Sequence, residues 1–204
     1  MRAVRSSTIA PGAWSVALPP VTPKPKISVT AYGPGKEEPN PEPGDFLLTH
    51  ANAWTSRLIR LGESIRYRGP NRRFAYWSHA VAVVSDSGEI VEALGNGVQT
   101  GNISKYAGTD YTYVRIQGSP EDRAEMANFA LEQARVHTEY GYLTIVSIAL
   151  GLLTSGRLTF GLSGTEICSG LVARMLERGT YIWVDPPSVM PADLARFFDV
   201  PGPA

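Results

Sequence analysis

The sequence predicts an α+β fold in which an antiparallel sheet packs against helices. The predicted elements run as strand, helix, several strands and then helices, an order that differs from the alternation of a parallel βαβ array. Two strand-like stretches separated only by the turn sequence SDSGE predict a β-hairpin, as expected in an antiparallel sheet. Hydrophobic residues make up 43% of the 204 residues and charged residues 19%, and this composition supports a real core.

The chain divides near residue 43. Nine prolines precede Gly44, and proline removes a backbone donor and interrupts both helices and sheet ladders. We therefore interpret residues 1–43 as a proline-rich tail or linker and residues 44–204 as the folded domain. Inside the tail, the alternating stretch KISVTAY is compatible with one edge strand.

The first half of the domain is predicted to hold strands and one helix. GDFLLTH is typical of a short strand, and residues 51–69 carry apolar side chains at helical spacing. YWSHAVAVV and EIVEAL form the predicted hairpin, with a two-residue turn at Ser87 and Gly88. ALGNGVQTGN is interpreted as a turn because it lacks the spacing of a dinucleotide-binding loop. YTYVRIQ follows as a further strand.

The second half is predicted to be helical. Ser119, followed by proline and two acidic residues, is a helix start signal. The apolar run at residues 143–153 is shorter than the roughly 20 residues of a membrane span, so we interpret it as a buried helix, with a membrane-facing patch as the alternative. Apolar residues recur at helical spacing from Cys168 onward, which predicts a helix whose buried stripe begins there. MPADLARFF is a last short element.

Composition and missing motifs exclude several functions. Lysine plus arginine equals aspartate plus glutamate, so no net charge directs the chain to nucleic acid or membrane. The single cysteine excludes an internal disulfide and suits a reducing compartment. The first residues lack the apolar core of a secretory signal, so we expect a cytoplasmic or particle-associated protein. No P-loop, CxxC or HExxH motif occurs, so we expect neither a cofactor nor a metal.

Cys168 has two interpretations. A free cysteine commonly packs as a small hydrophobic side chain. A thiol in the first turn of a helix instead lies near the positive end of the helix dipole, which favours the nucleophilic thiolate. Thr165 as N-cap places Cys168 in that first turn, whereas Ser163 as N-cap, with Glu166 closing a capping box, moves it to the second. The nucleophile hypothesis needs the first arrangement.

A thiol nucleophile needs a base, and the base needs an orienting group. His79 lies on a predicted strand that would hold its ring rigidly, while His50 and His137 are interpreted as surface residues. Glu92 lies among apolar residues of the partner strand, and the predicted turn places it on the same face as His79, diagonal to it. The alternatives are a structural histidine and a solvated carboxylate on an exposed face.

Four short motifs follow one another along the chain, namely Gly44-Asp45, Ser78-His79, Glu92-Ala93 and Cys168-Ser169. Their order resembles the NlpC-type superfamily of papain-like thiol enzymes, and more narrowly its circularly permuted branch, which includes YiiX-like proteins and lecithin–retinol acyltransferase. The resemblance covers roughly residues 43–198. It implies a permuted papain-like fold, with the sheet packed against helices that include the cysteine-bearing one.

The resemblance also implies a catalytic triad of Cys168 as nucleophile, His79 as base and Glu92 as orienting group. Its implied activity is hydrolysis of an amide bond, in a peptide or cell-wall fragment, through an acyl-enzyme. The backbone N–H of Cys168 is expected to steady the oxyanion together with a second donor that the sequence does not identify. The candidate substrate-binding residues are Trp77, Ser78, Tyr140 and Ser169.

Two other functions stay open. One is a thiol acyltransferase or lipid-acting hydrolase of the same fold, with a lipid acyl substrate, and the other is a catalytically inactive binding or structural module. A local basic cluster is interpreted as a solvated helix face, with a rim that attracts acidic groups as the alternative. The cluster consists of Arg57, Arg60, Arg66, Arg68, Arg72 and Arg73.

Overall fold

A computed structural model describes residues 27–50, 67–94, 97–136, 168–179, 181–183 and 185–203. Within these ranges six strands form one sheet, and every neighbouring pair is antiparallel. This confirms the predicted α+β class with an antiparallel sheet. The strands are β1 (Ile27–Tyr32), β2 (Phe46–Thr49), β3 (His79–Val83), β4 (Glu89–Leu94), β5 (Gly97–Asn102) and β6 (Tyr111–Ile116), and their order across the sheet is β1-β6-β2-β3-β4-β5.

Helices pack against one face of this sheet. The described α-helices are α1 (Pro120–Arg135), α2 (Cys168–Glu177) and α3 (Pro191–Phe197). The predicted start of α1 is confirmed, because the Ser119 side chain accepts the backbone N–H of Asp122 at 3.1 Å within a capping box. The predicted buried stripe of α2 is also confirmed: Cys168, Leu171, Val172, Met175 and Leu176 are all buried in the main core.

Several predicted strands are confirmed. GDFLLTH, YWSHAVAVV, EIVEAL and YTYVRIQ contain β2, β3, β4 and β6. KISVTAY contributes β1, an edge strand that pairs with β6 along its whole length. The residues after β1 lie over the face opposite the helices, where the backbone N–H of Glu38 donates to Tyr111 and that of Glu42 to Tyr113. Part of the segment interpreted as a tail or linker therefore contacts the sheet.

The interpretation of ALGNGVQTGN as a turn is wrong. Residues 97–102 form β5, which pairs with β4 from Glu89–Asn102 to Leu94–Gly97 and lies at one edge of the sheet. Gln99 and Thr100 gave no apolar pattern because, in this edge strand, only Gly97 and Val98 are buried. Backbone pairing with β4, rather than side-chain propensity, determines the strand here.

The predicted register of the β3–β4 hairpin is also wrong, by two residues. A turn at Ser87 and Gly88 would pair Val83 with Glu92, whereas Val83 pairs with Ile90. The turn spans Ser85 to Gly88 instead: the N–H of Gly88 donates to the Ser85 carbonyl, and Gly88 has a φ of 79°. A shift of two keeps every side chain on its predicted face, and it brings Glu92 two positions closer to the start of β3.

Some predictions fall outside the described residues. These are the helix over residues 51–66, the apolar run at residues 143–153 and the choice between Thr165 and Ser163 as N-cap. Among the helices that the structure describes, none has the length and apolar character needed to cross a membrane.

The Gly44-Asp45 motif joins β2 to its neighbours. Asp45 is buried, and its Oδ1 accepts the backbone N–H of Ile116 at 2.8 Å and Nη1 of Arg123 at 2.9 Å. Its Oδ2 accepts the hydroxyl of Tyr113 at 2.7 Å. One carboxylate therefore connects β2, β6 and α1, and it fixes the sheet against the helix layer.

Gly44 has a φ of 86°, a conformation that favours glycine. A Cβ at this position would lie 2.9 Å from Cε of Met126 and 3.4 Å from Cα of Arg123. The close approach of the backbone to α1 therefore requires a glycine immediately before Asp45.

Candidate active site

His79 is the first residue of β3, at one end of the sheet. Its ring Nε2 lies 3.1 Å from Oε2 of Glu92, and its side chain is 12% exposed. A β-strand holds the Cα–Cβ direction of this residue, while Glu92 on the neighbouring strand fixes the ring. Since Nε2 faces Glu92, Nδ1 is the ring nitrogen left for another partner.

Glu92 lies in the middle of β4 and is 2% exposed. This burial contradicts the alternative of a solvated carboxylate. Besides His79, the Oε2 atom accepts the hydroxyl of Tyr106 at 2.7 Å, and Oε1 accepts Nζ of Lys105. A buried carboxylate with three donors is rigid and remains charged.

Cys168 opens the described part of α2 and is 3% exposed. His79 and the backbone N–H groups of Ala80 and Ser169 lie close enough to its sulfur to act on it by charge and hydrogen bonding. Among the described residues β3 and β4 pair at Ala82–Val91 and Val83–Ile90 only. Ala80 therefore lies beyond the point where the β3–β4 ladder stops, and its N–H is available to the thiol.

The electrostatics of these three groups favour a thiolate–imidazolium pair. Burial opposes the charged form of Cys168, but the charge and hydrogen bond of His79 outweigh it, so the pKa of the thiol is lowered. Burial likewise opposes the charged form of His79, but the neighbouring Cys168 and Glu92 raise its pKa to about 9. Glu92 is buried too, yet its donors, His79 foremost, lower its pKa to about 2.

Sequence reasoning missed Lys105 and Tyr106. Both lie in a 3-10 helix, Ile103–Tyr106, directly after the stretch that was interpreted as a turn. Asn102 caps this helix by accepting the backbone N–H of Ser104 at 3.0 Å. That Asn-x-Ser pattern is a local capping signal in the sequence. It indicates a helical turn, but it does not indicate that the turn reaches Glu92.

Three of the candidate substrate-binding residues, Trp77, Ser78 and Ser169, are buried. Trp77 is 2% exposed, and its Nε1 donates to the carbonyl of Val200 at 2.8 Å. The Ser169 hydroxyl donates to the carbonyl of Val189 at 2.6 Å. Ser78 is buried next to His79, and Tyr140 lies outside the described residues. The described contacts of Trp77 and Ser169 are internal to the fold.

The structure describes one of the other two histidines and half of the basic cluster. His50 Nδ1 contacts the carbonyl of Tyr76 at 2.9 Å, and the two rings stack. His137 is outside the described residues. Of the basic cluster the structure describes Arg68, Arg72 and Arg73, and all three are exposed.

No family model matches the chain. No curated protein matches it either. Within the ranges that the structure describes, no group of three or more histidine, cysteine, aspartate or glutamate residues has the arrangement of a metal site. The Cys168–His79–Glu92 cluster is therefore interpreted from its own contacts.

Replacing Glu92 by glutamine is expected to change the pH dependence of Cys168 chemistry. The imidazolium form of His79, with its pKa raised to about 9, is lost as the pH rises through that value. Loss of the carboxylate charge lowers the pKa of His79, so the alkaline limb should move to lower pH by roughly one to two units, the value of one charged hydrogen bond. Rates of Cys168 acylation between neutral and alkaline pH measure this.

Glu89→Gln is the matched control, because Glu89 begins the same strand as Glu92. Its alkaline limb should coincide with that of the wild type. An unchanged limb in Glu92→Gln would contradict the assignment of Glu92 as the group that sustains the charge of His79.

Proposed function

We propose that this protein is a cysteine hydrolase that cleaves an amide bond through a Cys168–His79–Glu92 triad. The observation that carries the proposal is the chain of contacts from the thiol to an imidazole and on to a buried carboxylate. A cysteine that merely fills a core has no need of a histidine partner, and a packed thiol has a raised pKa rather than a lowered one. The permuted papain-like fold suggested by the sequence motifs is part of the same proposal.

The first half of the proposed reaction forms an acyl-enzyme. The Cys168 thiolate attacks the carbonyl carbon, so a carbon–sulfur bond forms and the carbonyl electron pair moves to oxygen. The tetrahedral intermediate collapses as the carbon–nitrogen bond breaks, and the imidazolium of His79 gives its proton to the leaving amine. The Cys168–His79 contact supports this assignment of nucleophile and acid.

The second half regenerates the thiol. His79, now neutral, takes a proton from water as the oxygen attacks the thioester carbonyl. The carbon–sulfur bond breaks and the carboxylic acid leaves, while the proton taken from water stays on His79 and restores the thiolate–imidazolium pair. Glu92 holds the ring in one orientation throughout, since its Oε2 faces Nε2 of His79. An amine or alcohol in place of water would make the same site an acyltransferase.

The proposal is tested by trapping the acyl-enzyme. Wild-type protein is mixed with p-nitrophenyl acetate, quenched in acid and digested, and peptides are analysed by mass spectrometry. We expect an acetyl group on Cys168 in the wild type, and none on the corresponding peptide of Cys168→Ser. An absent adduct, or an equal one in a variant without His79, would contradict the proposed hydrolase and favour an inactive binding module. Binding of the protein to phosphatidylcholine vesicles would favour the lipid-acting alternative.

A further inference from the structure

The Thr49 side chain lies beside His79 and has no role in the proposed Cys168–His79–Glu92 triad. It ends β2 and lies directly opposite His79 on β3, so the two side chains project from the same face of the sheet. Thr49 is 2% exposed, and its Oγ1 has no hydrogen-bond partner among the described residues. A buried hydroxyl without a partner is costly and uncommon in folded proteins.

Two polar side chains near Thr49 in the described part of the chain already have partners. On its far side, Tyr111 is the cross-strand neighbour on β6, and the hydroxyl of Tyr111 accepts the backbone N–H of Glu38 at 3.0 Å. On the far side of His79, Glu92 has its three donors. Among the described residues around the imidazole, Thr49 thus presents a buried hydroxyl whose proton has no acceptor.

We propose that the Thr49 hydroxyl donates a hydrogen bond to the carbonyl oxygen of the acyl substrate. This inference rests on the proposed function, because it assigns the second oxyanion donor that accompanies the backbone N–H of Cys168. As the thiolate attacks, the carbonyl electron pair moves to oxygen, and the hydroxyl, which keeps its proton, stabilises that developing charge. Thr49 is thereby a catalytic residue for ester and amide substrates alike.

Two substitutions separate this role from a structural one. Thr49→Val keeps the shape of the side chain and removes the hydroxyl, whereas Thr49→Ser keeps the hydroxyl. Each protein is acylated with p-nitrophenyl acetate, with release of p-nitrophenolate as the readout, and alkylated in parallel with iodoacetamide. Alkylation is a displacement at a methylene carbon that places no charge on a carbonyl oxygen, so it reports the thiolate alone.

We expect Thr49→Val to lower the acylation rate roughly 100-fold, the usual effect of losing one oxyanion donor. Thr49→Ser should stay within about threefold of the wild type. Both should alkylate at the wild-type rate, and Thr49→Val should unfold at no lower denaturant concentration than the wild type, since it lacks an unsatisfied polar group.

Equal acylation of wild type and Thr49→Val overturns the assignment and indicates that the hydroxyl is satisfied by solvent. A parallel loss of acylation and alkylation also overturns the assignment, because it indicates a structural role for Thr49. If the valine variant fails to fold, Thr49→Ala is used for the same comparison. A wild-type thiol that neither acylates nor alkylates faster than free cysteine refutes the proposed function itself, and the Thr49 role with it.

Discussion

Replacing His79 by glutamine is expected to reduce both reactions of Cys168, and acylation more than alkylation. At slightly acidic pH an ordinary thiol is only about 1% thiolate, whereas the pKa of Cys168 is lowered by its histidine partner. The variant should alkylate with iodoacetamide roughly 10- to 100-fold more slowly, because less of its thiol is ionised. The higher nucleophilicity of a thiolate with a higher pKa offsets only part of this loss. Acylation by an amide substrate such as a p-nitroanilide should fall about 1,000-fold, since the proton donor for the leaving amine is lost as well.

His50→Gln is the matched control, because His50 contacts Tyr76 rather than the thiol. We expect both reaction rates to remain at the wild-type level in this variant. Wild-type alkylation in His79→Gln would show that the histidine does not activate Cys168. Thermal unfolding of both variants would confirm that the comparison is made between folded proteins.

Replacing Asp45 by alanine is expected to cause the largest loss of stability. The substitution leaves the Arg123 guanidinium, the Tyr113 hydroxyl and a backbone N–H without their buried acceptor. Removing one partner of a buried charged pair costs about 3–5 kcal/mol, which corresponds to a fall of roughly 10 °C in Tm for a chain of this size. Urea unfolding followed by circular dichroism measures the free energy.

Asp86→Ala provides the comparison for this experiment. Asp86 lies exposed in the β3–β4 turn, and exposed substitutions usually change the free energy of unfolding by less than about 0.5 kcal/mol. If Asp45→Ala unfolds at the same urea concentration as Asp86→Ala, the carboxylate does not join β2 to β6 and α1.

Local patterns in the sequence predicted most of the described fold. The stretch around Ser119 carries its own capping chemistry, and the apolar spacing after Cys168 defines a helix face. β5 was missed because its polar edge-strand sequence has little β-propensity, and its pairing with β4 depends on a neighbour rather than on its own residues. The hairpin register was missed because Gly88 fits either of two turns, and the observed one closes through the bond from the Gly88 N–H to the Ser85 carbonyl.

The sequence predicted those residues of the candidate site whose side chains have a distinct chemical role. Cys168, His79 and Glu92 were identified by position, and the structure brings them into contact. Lys105 and Tyr106 were missed because their roles depend on a tertiary contact with Glu92 that no local spacing encodes. The Thr49 hydroxyl was missed because a threonine in a strand is ordinary until its missing partner is seen.

The titration of the Cys168 thiol tests the central claim most directly. The ultraviolet absorbance of the thiolate is followed against pH in the wild type, with Cys168→Ser subtracted to remove the tyrosine contribution. If thiol and imidazole form a charged pair, the midpoint lies well below the ordinary cysteine pKa of about 8.5, and it rises towards that value in His79→Gln. A wild-type midpoint at or above about 8.5 would contradict the pair and identify Cys168 as a packed core residue.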